Sequence, residues 1–336
     1  MEHTSPDRAA TAPLGPPPPF DPELATALAA IHELMPPGGS GADPGATPPE
    51  EVPGMRPVTN ETLERDGAFR VEERSVPGPA GAPDVSLLIC RLADAATPVP
   101  ALYHIHGGGM TVGDNRTGVP EMLDLAQELR LSVVSVEYRL APGTRHPGPV
   151  EDCYAGLVWT AEHAAELGID PERVIVVGGS AGGGLAAAVA LLARDRGGPA
   201  LLGQVLMCPM IDDRNDTPSA RQMTGVGVWD RAANEAGWTA LLGAARGTDD
   251  VSPYAAPARA ADLSGLPPAF VDVASAETFR DEDVDYARRI WQAGGEAELH
   301  VWTGGFHGFD SMAPQAAISR DAWQARLRWL RRLLAH

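Results

Sequence analysis

The sequence predicts an α/β fold, with a mainly parallel central sheet and helices on both faces of that sheet. Runs of β-branched residues alternate with helical periodicities along most of the 336-residue chain, and such alternation produces parallel sheets covered on both faces. The sharpest signal is the run 174–177, which leads through glycines into an Ala/Leu-rich helical run at 185–192. We take this strand–turn–helix unit as the centre of the fold.

The residues before the core divide into two segments. Residues 1–19 are rich in Pro, Ala and Gly and predict a flexible leader. Residues 20–68 predict an N-terminal cap segment, with an amphipathic helix at 21–35 that a Pro/Gly cluster ends. The first part of the catalytic core is assigned to 69–211. Its predicted strands before the central unit are 69–76, 85–92, 101–105 and 132–136, and its predicted helices are 119–129 and 150–159.

The second half is interrupted once. A strand at 201–207 precedes a polar, Gly-rich excursion at 212–253, which we interpret as a cap insertion and not as a disordered loop, because it carries Trp229 and Trp238. Residues 254–336 complete the core. They contain predicted strands at 269–273 and 297–302, a helix at 284–293 and a final helix with an inward apolar face and an exposed arginine face, made of Arg326, Arg328, Arg331 and Arg332.

The central turn contains a candidate nucleophile. Gly178, Ser180 and Gly182 spell G-x-S-x-G, in which a serine sits on a strained turn and its neighbours must be nearly free of side chains. A dinucleotide-binding fingerprint also fits 182–187 loosely, but the next strand ends in Cys-Pro where an acidic residue is required. A phosphate-binding P-loop is excluded, since no Gly-Lys-Ser/Thr follows.

A second glycine run follows the strand at 101–105. Residues 106–109 read His-Gly-Gly-Gly, and consecutive glycines expose the backbone N–H groups that an oxyanion-binding loop needs. His104 and His106 alternatively suggest two metal ligands on one strand face. No third ligand cluster accompanies them, so we predict no metal.

Composition excludes several classes of partner. Lys+Arg 26 against Asp+Glu 45 gives a net charge of −19, which argues against nucleic acid and anionic membranes. The three cysteines are scattered and predict reduced core thiols, not a disulfide framework or a zinc site. No basic segment followed by an apolar one stands at the start, and no run of 18 apolar residues occurs, so we expect a cytoplasmic protein.

The order of these motifs is that of an α/β-hydrolase: a glycine loop, an elbow serine, an acidic loop and a late histidine loop. Their combination resembles the hormone-sensitive-lipase family of bacterial esterases over about residues 70–336. The segments that carry the resemblance are 106–109, 137–142, 151–154, 178–183, 252–255 and 307–309.

The resemblance implies a catalytic triad and an oxyanion hole. Ser180 is then the nucleophile and His307 the general base, with the backbone N–H groups of Gly108, Gly109 and Ala181 as oxyanion donors. It also implies a cap built from the N-terminal segment and the 212–253 excursion. No metal or organic cofactor is expected.

Two positions depart from the family pattern. Gly179 stands where the family has an aspartate before the nucleophile, and Glu277 stands where the family has its catalytic aspartate. Glu277 and Asp281 therefore compete for the role of triad acid. We assign it to Glu277, because Thr278-x-x-Asp281 has the form of a helix capping box.

We expect a serine carboxylesterase that hydrolyses short-chain carboxylic esters through an acyl-enzyme. An amidase or deacetylase with the same triad stays open, since the leaving group is selected by the pocket walls. A catalytically inactive ligand-binding member of the fold and a dinucleotide-dependent oxidoreductase are less favoured. The family resemblance and the apolar edge strand at 297–302 also predict a homodimer.

Overall fold

Eight strands form one sheet in the computed structural model, which describes residues 14–34 and 58–335. They are β1 (Phe69–Val76), β2 (Val85–Leu92), β3 (Val99–Ile105), β4 (Ser132–Glu137), β5 (Ile169–Gly179), β6 (Gly203–Met207), β7 (Ala269–Ala274) and β8 (Ala297–Trp302). Their spatial order is β1-β2-β4-β3-β5-β6-β7-β8. Within this sheet, β2 runs in the direction opposite to that of the other seven strands. The predicted mainly parallel sheet is confirmed.

Helices connect the strands. The described residues contain α1 (Pro22–Leu34), α2 (Asn60–Glu64), α3 (Val119–Leu129), α4 (Gly148–Glu162), α5 (Ala164–Leu167), α6 (Ala181–Arg196), α7 (Pro218–Gln222), α8 (Arg231–Leu242), α9 (Arg280–Gln292), α10 (Phe309–Met312) and α11 (Ala317–Leu334). Of these helices, none has the length and apolar character needed to cross a membrane.

The core lies on both faces of the sheet because successive side chains of a strand point to opposite faces. In β5, Val174 and Val176 belong to one buried apolar cluster, and Ile175 and Val177 belong to the other. The first cluster includes residues of α4, α6 and α9, and the second includes residues of α3 and α11. The run 174–177 of this central parallel strand is therefore apolar at every position, since both of its faces are covered.

Helix α1 packs against the segment that follows β8. Leu24 and Leu28 are buried in a cluster that contains Phe306 and Phe309. Of the predicted leader at 1–19 and the predicted N-terminal cap segment at 20–68, residues 1–13 and 35–57 lie outside the described residues. The last leader residues lie against α7, where Gln222 Nε2 donates to the carbonyl oxygens of residues 15 and 16 at 3.3 and 3.0 Å.

The 212–253 excursion contains α7 and α8, and Trp238 in α8 is fully buried. This segment touches the N-terminal one, because the His32 ring lies 3.0 Å from the carbonyl oxygen of Gly227. Two parts of the chain that are far apart in sequence thus meet. The excursion also contacts the loop after β7, because Thr278 Oγ1 donates to the carbonyl of Trp229 at 2.7 Å.

The turn between β5 and α6 depends on a close approach of backbones. A Cβ atom at Gly182 would lie 2.0 Å from the carbonyl oxygen of Ile105, and one at Gly178 would lie 2.3 Å from the carbonyl oxygen of Gly182. Real Cβ atoms do not approach backbone oxygens so closely, so any side chain here forces the helix off the sheet. Gly179 is different, since its nearest neighbour, Met207 Cε, would be 3.7 Å away.

We therefore predict opposite outcomes for two single-methyl substitutions in this turn. Gly182→Ala should destabilise the fold by about 1–3 kcal/mol or more, because the added methyl group overpacks a backbone contact. Gly179→Ala should change stability by less than about 1 kcal/mol in either direction, because the methyl group has room. Urea unfolding midpoints of the two purified variants measure both. Equal losses would contradict the proposed backbone constraint.

Candidate active site

Ser180 occupies the turn in a strained conformation. Its φ of 56° and ψ of −123° lie in a region that residues with a side chain rarely adopt. Two backbone hydrogen bonds hold it there: Ser180 N donates to the Met207 carbonyl at 2.8 Å, and Met210 N donates to the Ser180 carbonyl at 2.9 Å. The hydroxyl is thereby fixed at the carboxyl edge of the sheet.

The structure brings the three predicted side chains together. His307 Nε2 lies 2.9 Å from Ser180 Oγ, and His307 Nδ1 is hydrogen-bonded to Glu277 Oε1. The second carboxylate oxygen of Glu277 accepts from Ala274 N at 3.1 Å. Each of the three residues follows a parallel strand, β5, β7 or β8, and the carboxyl ends of parallel strands meet at one edge.

The hydrogen bonds define the tautomer of His307. An ionised carboxylate only accepts, so Nδ1 carries the proton and donates it to Glu277. Nε2 is then free to accept from the Ser180 hydroxyl. Glu277 is 2% exposed and His307 9% exposed, and the edge of the Phe279 ring packs on the imidazole with centroids 5.3 Å apart. Packing and hydrogen bonds together leave the ring one orientation.

The glycine loop after β3 lies against the serine turn, since a Cβ atom at Gly107 would be 3.6 Å from Ser180 Cβ. Gly108 and Gly109 have φ values of 118° and 58°, which a glycine adopts at little cost. Along the described chain, the N–H groups of Gly108, Gly109 and Ala181 have no hydrogen-bond acceptor within the protein. The Trp229 ring packs directly against Gly109 of this loop, because a Cβ atom at Gly109 would lie 2.4 Å from the ring.

The capping box predicted at Thr278 and Asp281 is wrong. Helix α9 begins at Arg280 and has no side-chain cap. Thr278 Oγ1 donates to a backbone carbonyl of the excursion, and Asp281 Oδ2 accepts from Ser219 N at 2.8 Å, at the start of α7. Asp281 therefore fastens the excursion to α9, and the structure places no hydrogen bond between it and His307.

His104 and His106 do not form a metal site with other described residues. His104 Nδ1 is 2.9 Å from Ser135 Oγ, and His106 stacks on Tyr138 with ring centroids 4.2 Å apart. Burial lowers the pKa of His104 to about 3 and that of His106 to about 4. Both imidazoles are therefore neutral packing groups at neutral pH.

The prediction of an exposed face for Arg326 is wrong. Its side chain is 6% exposed and makes ion pairs with Asp272 in β7 and Asp310 in α10. Arg326 Nε and a terminal nitrogen donate to Asp272 Oδ2 at 3.0 and 2.7 Å. The helical spacing contains the missed signal, since position 326 follows Trp323 by three residues and precedes Leu330 by four, which puts all three on one face.

This ion-pair network joins the strand before Glu277 to the turn after His307. Burial raises the pKa of Asp272, and the guanidinium of Arg326 acts against that. Burial also acts to raise the pKa of Asp310, but the charge and hydrogen bonds of Arg326 outweigh it and lower the pKa. The pKa of Arg326 is raised in turn, because the two carboxylates outweigh its burial.

A serine, a histidine and a carboxylate hydrogen-bonded in a row at the carboxyl edge of a mainly parallel sheet define the class of α/β-hydrolases. A family model described as the alpha/beta hydrolase fold matches residues 102–311. The chain belongs to this family, and the resemblance to the hormone-sensitive-lipase esterases is confirmed.

Named relatives cover most of the chain. The carboxylesterase NlhH of Mycobacterium tuberculosis is 34% identical over 290 residues, which are 86% of this chain and 86% of that protein. An ethyl acetate hydrolase of Pseudomonas putida is 35% identical over 220 residues, 65% of this chain and 69% of that protein. The solved structure of a bacterial heroin esterase is 40% identical, with a TM-score of 0.80 over 94% of this chain and 98% of that one.

We predict that Arg326→Met destabilises the protein by about 3–5 kcal/mol, because it leaves two buried carboxylates without their cation. Arg332→Met is the matched control on the same helix. Arg332 pairs with Glu298 at the surface, where both side chains are at least one-third exposed, and such pairs contribute about 0–1 kcal/mol. Thermal and urea unfolding of the two variants make the comparison. A loss of stability for Arg326→Met as small as that for Arg332→Met would contradict the role of Arg326 as the cation that the two buried carboxylates require.

Proposed function

We propose that this protein is a serine carboxylesterase that hydrolyses short-chain carboxylic esters through an acyl-enzyme intermediate. The wider class, a carboxylic ester hydrolase, is confirmed by relatives named as such. The observation that carries the proposal is the hydrogen-bonded row Ser180, His307 and Glu277, beside three backbone N–H groups that have no acceptor among the described residues.

In the proposed mechanism, Ser180 Oγ attacks the ester carbonyl while His307 Nε2 takes the hydroxyl proton. A serine hydroxyl is a weak nucleophile without such a base. The carbonyl oxygen becomes an oxyanion, which the N–H groups of Gly108, Gly109 and Ala181 stabilise. Removal of one such donor costs about 3 kcal/mol of transition-state stabilisation in a related site.

The same histidine serves both halves of the reaction. The imidazolium gives its proton to the leaving alkoxide, and an alcohol departs from the acyl-enzyme. Water then attacks the acyl carbon, with Nε2 accepting a water proton and returning a proton to Ser180 Oγ as the carboxylic acid leaves. Glu277 stabilises the imidazolium in each half and keeps the proton on Nδ1.

Two observations support a preference for short chains. The Trp229 ring packs against Gly109 and lies 6.3 Å, centroid to centroid, from the His307 ring. This ring therefore forms a pocket wall close to Ser180 and His307, which limits the room for an acyl chain. One relative is named as an ethyl acetate hydrolase, and ethyl acetate is a small ester. We infer that α1 together with the 212–253 excursion acts as the cap that carries this wall.

The test is a series of aryl esters of graded acyl length, measured beside matching amides. We expect acetate and butyrate esters to be hydrolysed faster than long-chain or emulsified esters, and faster than the amides. Ser180→Ala should lose turnover by several orders of magnitude and all labelling by an organophosphate. Labelling of a different residue in that variant would contradict the assignment of Ser180, and faster amide turnover would point to an amidase.

A pair of isosteric variants separates the two candidate acids. Glu277→Gln removes the charge that stabilises the imidazolium, and we expect turnover to fall on the order of 10⁴-fold with normal folding. Asp281→Asn should keep most turnover and lose some thermal stability, since Asp281 holds α7. The readouts are kcat on a soluble acetate ester and the thermal midpoint. The opposite pattern of kcat would assign the role to Asp281.

We also propose a homodimer formed at β8, which is an edge strand of the described sheet. Val301 on β8 and Trp291 at the end of α9 are 42% and 47% exposed, and an exposed apolar edge is suited to pairing with a second copy. Light scattering at micromolar concentration should report a dimer that Val301→Lys weakens. A monomer for the parent protein would exclude this proposal. A cytoplasmic location stays a prediction.

A further inference from the structure

Cys208 lies beside the candidate triad, although the sequence predicts an isolated core thiol. It follows β6 with a φ of 38°, and its N–H donates to the Asp272 carbonyl at 2.7 Å. One ligand atom each from Cys208, Glu277 and His307 lie within 4.8 Å of one another. Elsewhere in residues 14–34 and 58–335, no three His, Cys, Asp or Glu side chains come so close.

The surroundings of this thiol favour a cation. Cys208, Asp272 and Glu277 line one small cavity of about 10 Å³, comparable to the space of a single water-sized probe. Asp272 Oδ1 is buried there without a hydrogen-bond partner among the described residues. The carboxyl groups of Asp272, Glu277 and Asp310 line this cavity, together with the guanidinium of Arg326.

We propose that Cys208, Glu277 and His307 form an inhibitory site for a thiophilic divalent cation of the Zn²⁺ type. Thiolate, imidazole and carboxylate are the ligands that zinc binds, and three protein ligands plus water complete its tetrahedral shell. Cys208 is partly exposed, whereas Cys90 and Cys153 are buried. Binding of the ion depends only on the arrangement of the three ligand atoms. Inhibition by the ion also rests on the proposed function, in which His307 is the general base.

The exchange balances in protons and needs no oxidant. Burial and the neighbouring carboxylates raise the pKa of the Cys208 thiol, so the thiol is protonated when free. The ion displaces the thiol proton to solvent. A neutral imidazole that binds a metal through Nδ1 carries its one proton on Nε2, so His307 loses the Nδ1 proton and takes one up on Nε2, and a single proton is released for each ion bound. Glu277 Oε1 exchanges its hydrogen bond for a bond to the metal. With a proton on Nε2, the metal-bound imidazole cannot accept the proton of the Ser180 hydroxyl.

Direct binding is measured with Co²⁺ added to metal-free protein. In the Ser180→Ala variant, which needs no activity, we expect the thiolate-to-cobalt charge-transfer band and the intense visible bands of tetrahedral cobalt. Cys208→Ala and Cys208→Ser in the same background should lose the charge-transfer band, and Cys90→Ala, which removes a buried thiol of β2, should keep it. No such band, or a band that survives both Cys208 substitutions, would overturn the proposal.

Inhibition is measured with Zn²⁺ on the otherwise unsubstituted enzyme, each variant against its own metal-free activity. Zn²⁺ should reduce kcat reversibly, with recovery on addition of a chelator. Loss of the Cys208 ligand should raise the inhibitory concentration at least about tenfold, whereas Cys90→Ala should match the parent. Cobalt binding without zinc inhibition would refute the inhibitory role. Cobalt binding by a protein that hydrolyses no ester would contradict the proposed function and leave the metal site in place.

Discussion

The contact between the first turn of α6 and the ends of β3 and β5 is the constraint on which the site depends. Gly182 lets the helix approach the Ile105 carbonyl, and this approach forces Ser180 into its positive-φ turn. The strain stored there is small beside the total burial of the Ala/Leu face of α6, so the fold tolerates it. A packing requirement of the core thus determines where the Ser180 hydroxyl lies.

The second requirement is electrostatic. Asp272, Glu277, Glu282 and Asp283 are all buried. Both carboxyl oxygens of Asp283 lack a hydrogen-bond partner in the described part of the chain. Burial and neighbouring carboxylates raise its pKa well above the ordinary range. The cation of Arg326 offsets part of the negative charge in this region through its ion pairs with Asp272 and Asp310.

Much of this architecture is predictable from local pattern, and the exceptions have physical reasons. The strands at 69–76, 85–92 and 297–302 are predicted to the residue, because turn segments that contain Gly or Pro lie next to them in the sequence. Three features are not. Arg326 carries a charge, which predicts a solvent-exposed side chain, although its position on the helix faces inward. Asp281 satisfies a local capping pattern but bonds to a segment 62 residues away. Cys208 gains its neighbours only through strand order, which single-strand patterns do not contain.

The packing of α1 against the end of the chain has a consequence for biosynthesis. Glu23 Oε2 accepts from Ala317 N, a contact between residues 294 positions apart. At ordinary translation rates the ribosome needs roughly 15 to 60 s to make that stretch, and contacts of such separation form late in folding. During this interval Leu24 and Leu28 lack their partners, and the histidine loop does not yet exist. The nascent chain therefore exposes an unpaired apolar helix that chaperones can bind, and it acquires hydrolytic chemistry only after His307 has been made.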